Sequence, residues 1–411
     1  MEDIVKWLLI GLLVRVTLMP ITVYHPDLLS VYWRSSLIAY HKMPWVGEGQ
    51  ILLHYLHAFF LWIFKPLMPY FNSILYDPQM GPGANWDMFT TFVNHPNVFR
   101  TLFLFKIPYL IFELGCAFLL LHIFLDHKKG VRAFIFWIIN PIVIFATYVA
   151  ARYEVVSLFF ILLSLYYARK NLATRSLLFL GISAILRWYP LMLLPFFVII
   201  LGRKFWERLR LVFWGLLPLA LMTIFLRSLG RPGEIKTLTH LPYGENLLGM
   251  SFYLGHLVDY VFVFLVAYTV LWLYTYLNTN HSFSDLWKTT LMLLLIFFAT
   301  CFFHAHYFLW LIPFLTLQMV EDRKFVGLFS LLVLCYVVYT FQWQRHLAGY
   351  LFTPLDYFYF VGLRSPFEII NRYYPAKRVI GIFRSVLSGT SLLMTYLIFK
   401  QLFLTRAGQK G

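Results

Sequence analysis

Charge is what this sequence has least of. Only 13% of its 411 residues are Asp, Glu, Lys or Arg, against roughly 25% in soluble globular chains, and this excludes an ordinary soluble domain anywhere along it. Acid is scarcer than base: 18 Asp and Glu stand against 34 Lys and Arg, a formal net charge of +16. No basic helix or aromatic–basic module stands outside the apolar runs to spend that excess on nucleic acid, so no nucleic-acid partner is expected. The base is read as loop Lys and Arg facing anionic lipid on the cytoplasmic side. Cysteine is rare as well. Cys116, Cys301 and Cys335 each fall within an apolar run with no disulfide or metal spacing, and read as small apolar side chains. There is no Gly-rich phosphate loop, and no periodic repeat or low-complexity tract stands out. The opening stretch MEDIVKWLLIGLLVRVTLMP lacks a small-residue cleavage site and is read as a retained span.

What the sequence has is apolar length. Hydrophobic residues make up 61% of it and the mean hydropathy is +0.72. Repeated runs of about 20 apolar residues argue for a polytopic membrane protein. Candidate spans are 6–24, 101–125, 132–148, 152–168, 176–201, 210–227, 252–277, 288–303, 305–320, 325–343 and 378–402. The connections at 126–132, 168–175, 202–210 and 321–324 are basic, as is the C-terminal tail. The positive-inside rule places all of them in the cytoplasm if 176–201 crosses twice as a hairpin broken at LRWYP, with Pro190 as the breaker. Each half is then too short to span alone and fits the pattern of broken membrane helices whose backbone lines a cavity; a single tilted, kinked helix is the alternative. Segments 25–100, 228–251 and 344–377 then lie on the far side, and the apolar segment 51–72 is read as a helix lying in the far interface. The predicted organisation is one transmembrane unit, 1–411, with an extracytoplasmic loop 25–100, core helices 101–227, a second loop 228–251 and C-terminal helices 252–411.

Several ionisable residues sit where lipid makes them costly. Asp27 follows His25-Pro26 and opens a helix whose polar side carries Ser30, Arg34 and His41 and whose other side carries Leu28, Leu29, Tyr32 and Ile38. Asp27 is either an N-cap or a functional carboxylate. Arg152, Tyr153 and Glu154 form a tight turn at membrane depth, as a functional group or as a plain Arg–Glu pair. Arg187 stands at the break in 176–201, where a guanidinium could grip a phosphate or cap freed carbonyls. Glu113 lies inside a span, with Lys106 on the same face but out of direct reach. Asp259 has His256 three residues before it. His304 and His306 mark a far-side turn; His-x-His can ligate zinc, but no third ligand is near. The loop 227–252, with Arg231, is polar enough to close over a ligand.

These stretches, in this order, resemble the GT-C glycosyltransferases: an acid opening an interfacial helix after the first span, then FRTLFLFKIPYLIFELGCAFLLL, WIINPIVIFATYVAARYEVVSLFF, FLGISAILRWYPLMLLPFFVII and HYFLWLIPFL. The resemblance is to the mannosyltransferases that use polyprenyl-phosphate sugars, including the GPI mannosyltransferase type, and covers roughly residues 1–320. It implies an all-α GT-C-like bundle of about 11–13 transmembrane helices with interfacial helices in the first extracytoplasmic loop. It implies transfer of a hexose, such as mannose, from a polyprenyl-phosphate donor to a glycan or glycolipid acceptor on the non-cytoplasmic face. Asp27 matches the catalytic acid of the first loop, although His25 stands where a paired acid is often found. Arg187 and Arg152 would hold the donor phosphate, and Glu154, Tyr189, Arg34, His304, His306 and Arg231 would touch substrate. A divalent cation is possible and no other cofactor is implied. A lipid-linked glycan flippase is the alternative function. Compact loops favour a prokaryotic cell membrane, with the endoplasmic reticulum membrane as the alternative.

Overall fold

The computed structural model describes residues 2–24, 26–43, 51–75, 86–229, 247–255 and 259–404. The chain is an all-α polytopic membrane protein. Of the eleven apolar segments, six appear as helices long and apolar enough to cross a membrane: Glu2–Ile21, Val98–Ile123, Phe205–Ser228, Phe283–Thr300, Phe325–Trp343 and Ala376–Phe403. His127–Ile138 and Pro141–Val149 form a pair bent by 48°, which makes a seventh span if the two halves cross together. The bend has a local cause. The Asn140 side chain caps the new helix by accepting from the N–H groups of Ile142 and Val143, and Pro141 at its first position needs no donor partner. The remaining segments are shorter helices or helices with breaks, so among the described residues six helices reach full span length by themselves.

The chain divides into two compact units: residues 1–118, 134–159 and 340–380 form one, and 119–133, 160–339 and 381–411 the other. In the first unit, Glu2–Ile21 buries Gly11, Arg15 and Met19 at four-residue spacing, while Leu9 and Leu13 on other faces are exposed. Pro26–Ala39 is the helix expected after the first span: Leu28, Leu29 and Tyr32 are buried, and Ser30 and Arg34 are half-buried. Ile51–Phe64 packs against it. It turns Leu53, His54, His57 and Leu61 inward and leaves Phe59 and Trp62 exposed, the division expected of an interfacial helix.

In the second unit, Ala173–Leu186 lies against Phe205–Ser228. A Cβ at Gly181 would fall 2.2 Å from the Gly215 carbonyl oxygen, so the absent side chain sets how closely these helices approach. The expected span 252–277 is corrected at its start. Ser251–Tyr253 pairs antiparallel with Tyr260–Phe262, and the helix begins only at Val263. Aromatic and β-branched residues on either side of Gly255, whose φ is 89°, favour a hairpin over a continued helix. Helix 176–201 breaks where expected: Ala173–Leu186 ends at Arg187 in an extended conformation (φ −151°, ψ 141°). A 3₁₀ turn, Tyr189–Met192, and a helix, Leu194–Leu201, follow. Segments 288–303 and 305–320 behave alike, with Phe283–Thr300 giving way at Cys301 to the 3₁₀ turn Ala305–Trp310 and the helix Ile312–Glu321.

Candidate functional site

Two polar clusters stand out, one in each unit. In the first, Arg15 on the opening span donates from Nε to Glu113 Oε2 at 2.7 Å and from Nη2 to Oε1 at 2.9 Å. Both side chains are fully buried. Tyr148 donates its hydroxyl to the same carboxylate at 3.1 Å, Arg15 Nη1 donates to the Gly11 carbonyl, and the Trp137 indole donates to the Glu113 carbonyl. This fork-to-fork pair leaves neither charge uncompensated. Lys106 instead donates to the carbonyl and hydroxyl of Thr22. Of the states open to a carboxyl group inside a span (protonated, paired or functional), the structure shows Glu113 paired. Its partner, Arg15, was missed in the sequence because it lies 98 residues away.

The turn after Tyr148 carries Arg152 and Glu154. Arg152 Nε lies 3.9 Å from Glu154 Oε2, and its guanidinium stands 5.4 Å from the centre of the Tyr153 ring. Ala151, just before, has φ 51°, a left-handed conformation that costs a non-glycine residue of order 1 kcal/mol and is found at sites where the fold imposes a particular presentation. Beside this turn, the His57 ring lies 6.5 Å from that of Tyr153. His57 Nδ1 is 2.7 Å from the Leu53 carbonyl, which can only accept, so Nδ1 carries the proton; Nε2 then accepts from the Tyr109 hydroxyl at 2.9 Å. Burial pushes His57 down to about 4. Burial, aided by Arg34 and His57, pushes His54 down to about 3. Both histidines, on the interfacial helix, are held neutral. Asp27 opens its helix as expected, but its side chain lies outside the described residues, and Arg231 lies outside them altogether.

The second cluster gathers four of the expected residues. Tyr189 lies flat on Trp310, ring centres 3.8 Å apart with 9° between planes. Tyr307 covers Trp310 as well, at 4.4 Å. Arg187, 3% exposed, sits 5.8 Å from the Tyr307 ring centre. His306 meets Tyr307 edge-on at 4.6 Å, and His304 stacks on His306 at 5.6 Å. His304 is the partly exposed member, and the others are buried. Among the described residues no group of three metal-ligating side chains forms.

The break at Cys301 is stabilised by another arginine, which the sequence did not single out. Arg384 donates to the Cys301 carbonyl at 2.8 Å and to Ser388 Oγ at 2.7 Å, and Ser388 donates to the Ala299 carbonyl. Tyr336 and Tyr339 donate to the Ala305 and Phe303 carbonyls. The freed carbonyls of a broken helix are thus met by side chains. A carbonyl-capping role considered for Arg187 is performed, at the second break, by Arg384.

Residues 88–300, just over half of the chain, match the family model described as GPI transamidase subunit PIG-U. Neither the curated proteins nor the solved structures yield a match. The match spans Glu113, Arg152, Glu154, Arg187 and Tyr189. The resemblance to GT-C-like proteins holds at the level of a related multi-pass membrane family. The expected function does not hold. The family model is that of a GPI transamidase subunit, and this overturns both hexose transfer from a polyprenyl-phosphate donor and lipid-linked glycan flipping. The expected polyprenyl donor and glycan acceptor lose their support with that reading.

Proposed function

The chain belongs to the PIG-U family, and we propose that it serves as a membrane-embedded subunit of a GPI transamidase, on the lipid side of the reaction. Transamidation replaces one amide of a protein by another, with the anchor supplying the amine. It needs a nucleophile or base at the scissile carbonyl and a device that brings a lipid-borne amine to it. Cys116, Cys301 and Cys335 are all buried, none more than 1% exposed. A buried thiol among apolar side chains behaves as an inert structural residue. The reading therefore gives the nucleophile to another subunit and gives this chain the lipid. The endoplasmic reticulum alternative for its membrane accords with the family.

The observation that carries the proposal is the family match across 88–300, which takes in the bent helix pair, the turn at Arg152–Glu154 and the break at Arg187. The test is depletion and rescue. Cells lacking the chain are expected to stop attaching proteins to GPI anchors and to accumulate the uncleaved precursor proteins, and the full-length chain restores attachment. Normal attachment after complete depletion would overturn the reading.

A further inference from the structure

Two stretches of the second unit carry one pattern. Trp188 to Phe197 reads WYPLMLLPFF and His306 to Leu315 reads HYFLWLIPFL. Tyr189 and Tyr307, Leu191 and Leu309, Leu193 and Leu311, Pro195 and Pro313, and Phe196 and Phe314 occupy equal places. The backbone repeats too. An extended residue ends the helix before each pattern, Arg187 immediately ahead of the first and Cys301 further upstream of the second; each runs through a 3₁₀ turn and passes a leucine at almost the same angles: Leu193 at φ −81°, ψ −27° and Leu311 at φ −81°, ψ −29°. Each then enters a helix with proline in the first turn, where a missing N–H costs nothing. The two breaks meet through the stack of Tyr189 on Trp310 and the approach of Arg187 to Tyr307. Paired broken helices meeting inside a bundle are a recurrent way to build an ion or headgroup site in a membrane.

The copies differ where chemistry is added. Met192 in the first corresponds to Trp310 in the second, and Trp188 to His306. Trp310 is 2% exposed, and its Nε1 has no hydrogen-bond partner among the described residues. A buried donor left unmade is costly and uncommon in a native structure. Tyr307, stacked on Trp310, is approached in turn by the guanidinium of Arg187, with donors enough for more than one partner, and by the rings of His304 and His306. The column Tyr189, Trp310, Tyr307, His306, His304 with Arg187 brings together hydrogen-bond donors and positive charge. His304, partly exposed, marks its outer end.

We propose that the twin breaks form a phosphate-ester site, with Trp310 Nε1 and Arg187 donating to the phosphate oxygens. The site rests on the transamidase-subunit reading for the identity of its lipid, a phosphoinositol glycolipid, but not for the binding itself. The test uses the full-length chain in neutral detergent with radiolabelled phosphatidylinositol, diacylglycerol as the phosphate-free control and inorganic phosphate as competitor. Phosphatidylinositol binds and diacylglycerol does not. Trp310→Phe keeps the stack and removes only the N–H, and weakens binding about tenfold, the worth of one hydrogen bond to a charged group. Arg187→Lys keeps the charge, loses the fork, and weakens it as well; it serves as the second variant if Trp310→Phe does not fold. Displacement by inorganic phosphate assigns the site to the phosphate alone, and failure to displace assigns it to the lipid headgroup. Wild-type binding by both folded variants, or equal binding of diacylglycerol, overturns the proposal. No other subunit takes part in this assay, so its failure leaves the depletion-and-rescue result standing, and the reverse also holds.

Discussion

Glu113→Gln removes the charge that Arg15 was folded against. The wild-type carboxylate accepts from Arg15 Nε, Arg15 Nη2 and the Tyr148 hydroxyl at 2.7, 2.9 and 3.1 Å, and both charged side chains have no exposed surface. The amide keeps one acceptor oxygen and turns a donor toward the guanidinium. Arg15 is then a buried, uncompensated cation, and breaking such a pair costs about 3–5 kcal/mol. Removing both charges together has a different outcome. In Arg15→Met with Glu113→Leu no ion remains to be desolvated, and such replacements are neutral or stabilising by about 1–4 kcal/mol. The double-mutant cycle is therefore strongly non-additive, with a coupling of several kcal/mol. Equilibrium unfolding of the purified chain in detergent, wild type against Arg15→Met, Glu113→Leu and their double, with Glu113→Gln measured beside them, gives the coupling. Additive losses, or Glu113→Gln within about 0.5 kcal/mol of wild type, would refute the claim that the pair holds the opening span to the rest of its unit.

Three further outcomes follow from the geometry. Ala151, at φ 51°, occupies a conformation that glycine adopts without penalty, so Ala151→Gly raises unfolding stability by up to about 1 kcal/mol in the same assay; a loss would show that the turn is not strained. Gly181→Ala places a Cβ 2.2 Å from the Gly215 carbonyl oxygen, a backbone atom that cannot swing aside, and costs about 1–3 kcal/mol; an unchanged unfolding midpoint would contradict the close approach. His54 and His57 are pushed down to about 3 and about 4, below the 6.5 of an unfolded histidine. The unfolded chain thus binds more protons between these values, so their contribution is complete above pH 6.5 and is lost as pH falls toward 4. His54→Asn with His57→Asn flattens that slope, and an equally steep slope in the double variant would exclude these histidines as its source.

Much of the architecture was legible because lipid imposes simple rules. Apolar length gave the spans, Pro190 and Arg187 gave the first break, and the pattern Leu28, Leu29, Tyr32 gave the buried side of the second helix. The hairpin at 251–262 was not read, because its aromatic residues raise hydropathy as a span does while their alternation is too short to stand out. Arg15 was invisible because a lone arginine in a first span carries no sign of a partner 98 residues on. Of the expected site residues, Arg187, Tyr189, His304 and His306 do gather, and Arg152 with Glu154 form the ion pair considered for them. Trp310, at the middle of the column, was hidden in a run that reads as an interface belt; the signal that finds it is the recurrence of the Tyr-x-Leu-x-Leu-x-Pro-Phe spacing. Sugar transfer was not separable from other roles at this level either, because apolar length, helix breaks and buried charge describe a polytopic bundle and carry no mark of the reaction it serves.

The account's central claim, that the chain acts after the anchor is built and not while its sugars are added, is tested most directly by the glycolipids of cells depleted of it. Labelled with radioactive mannose, such cells are predicted to accumulate anchor lipids bearing their full complement of mannose, with protein attachment blocked. Accumulation of a shortened glycolipid lacking a mannose would contradict it.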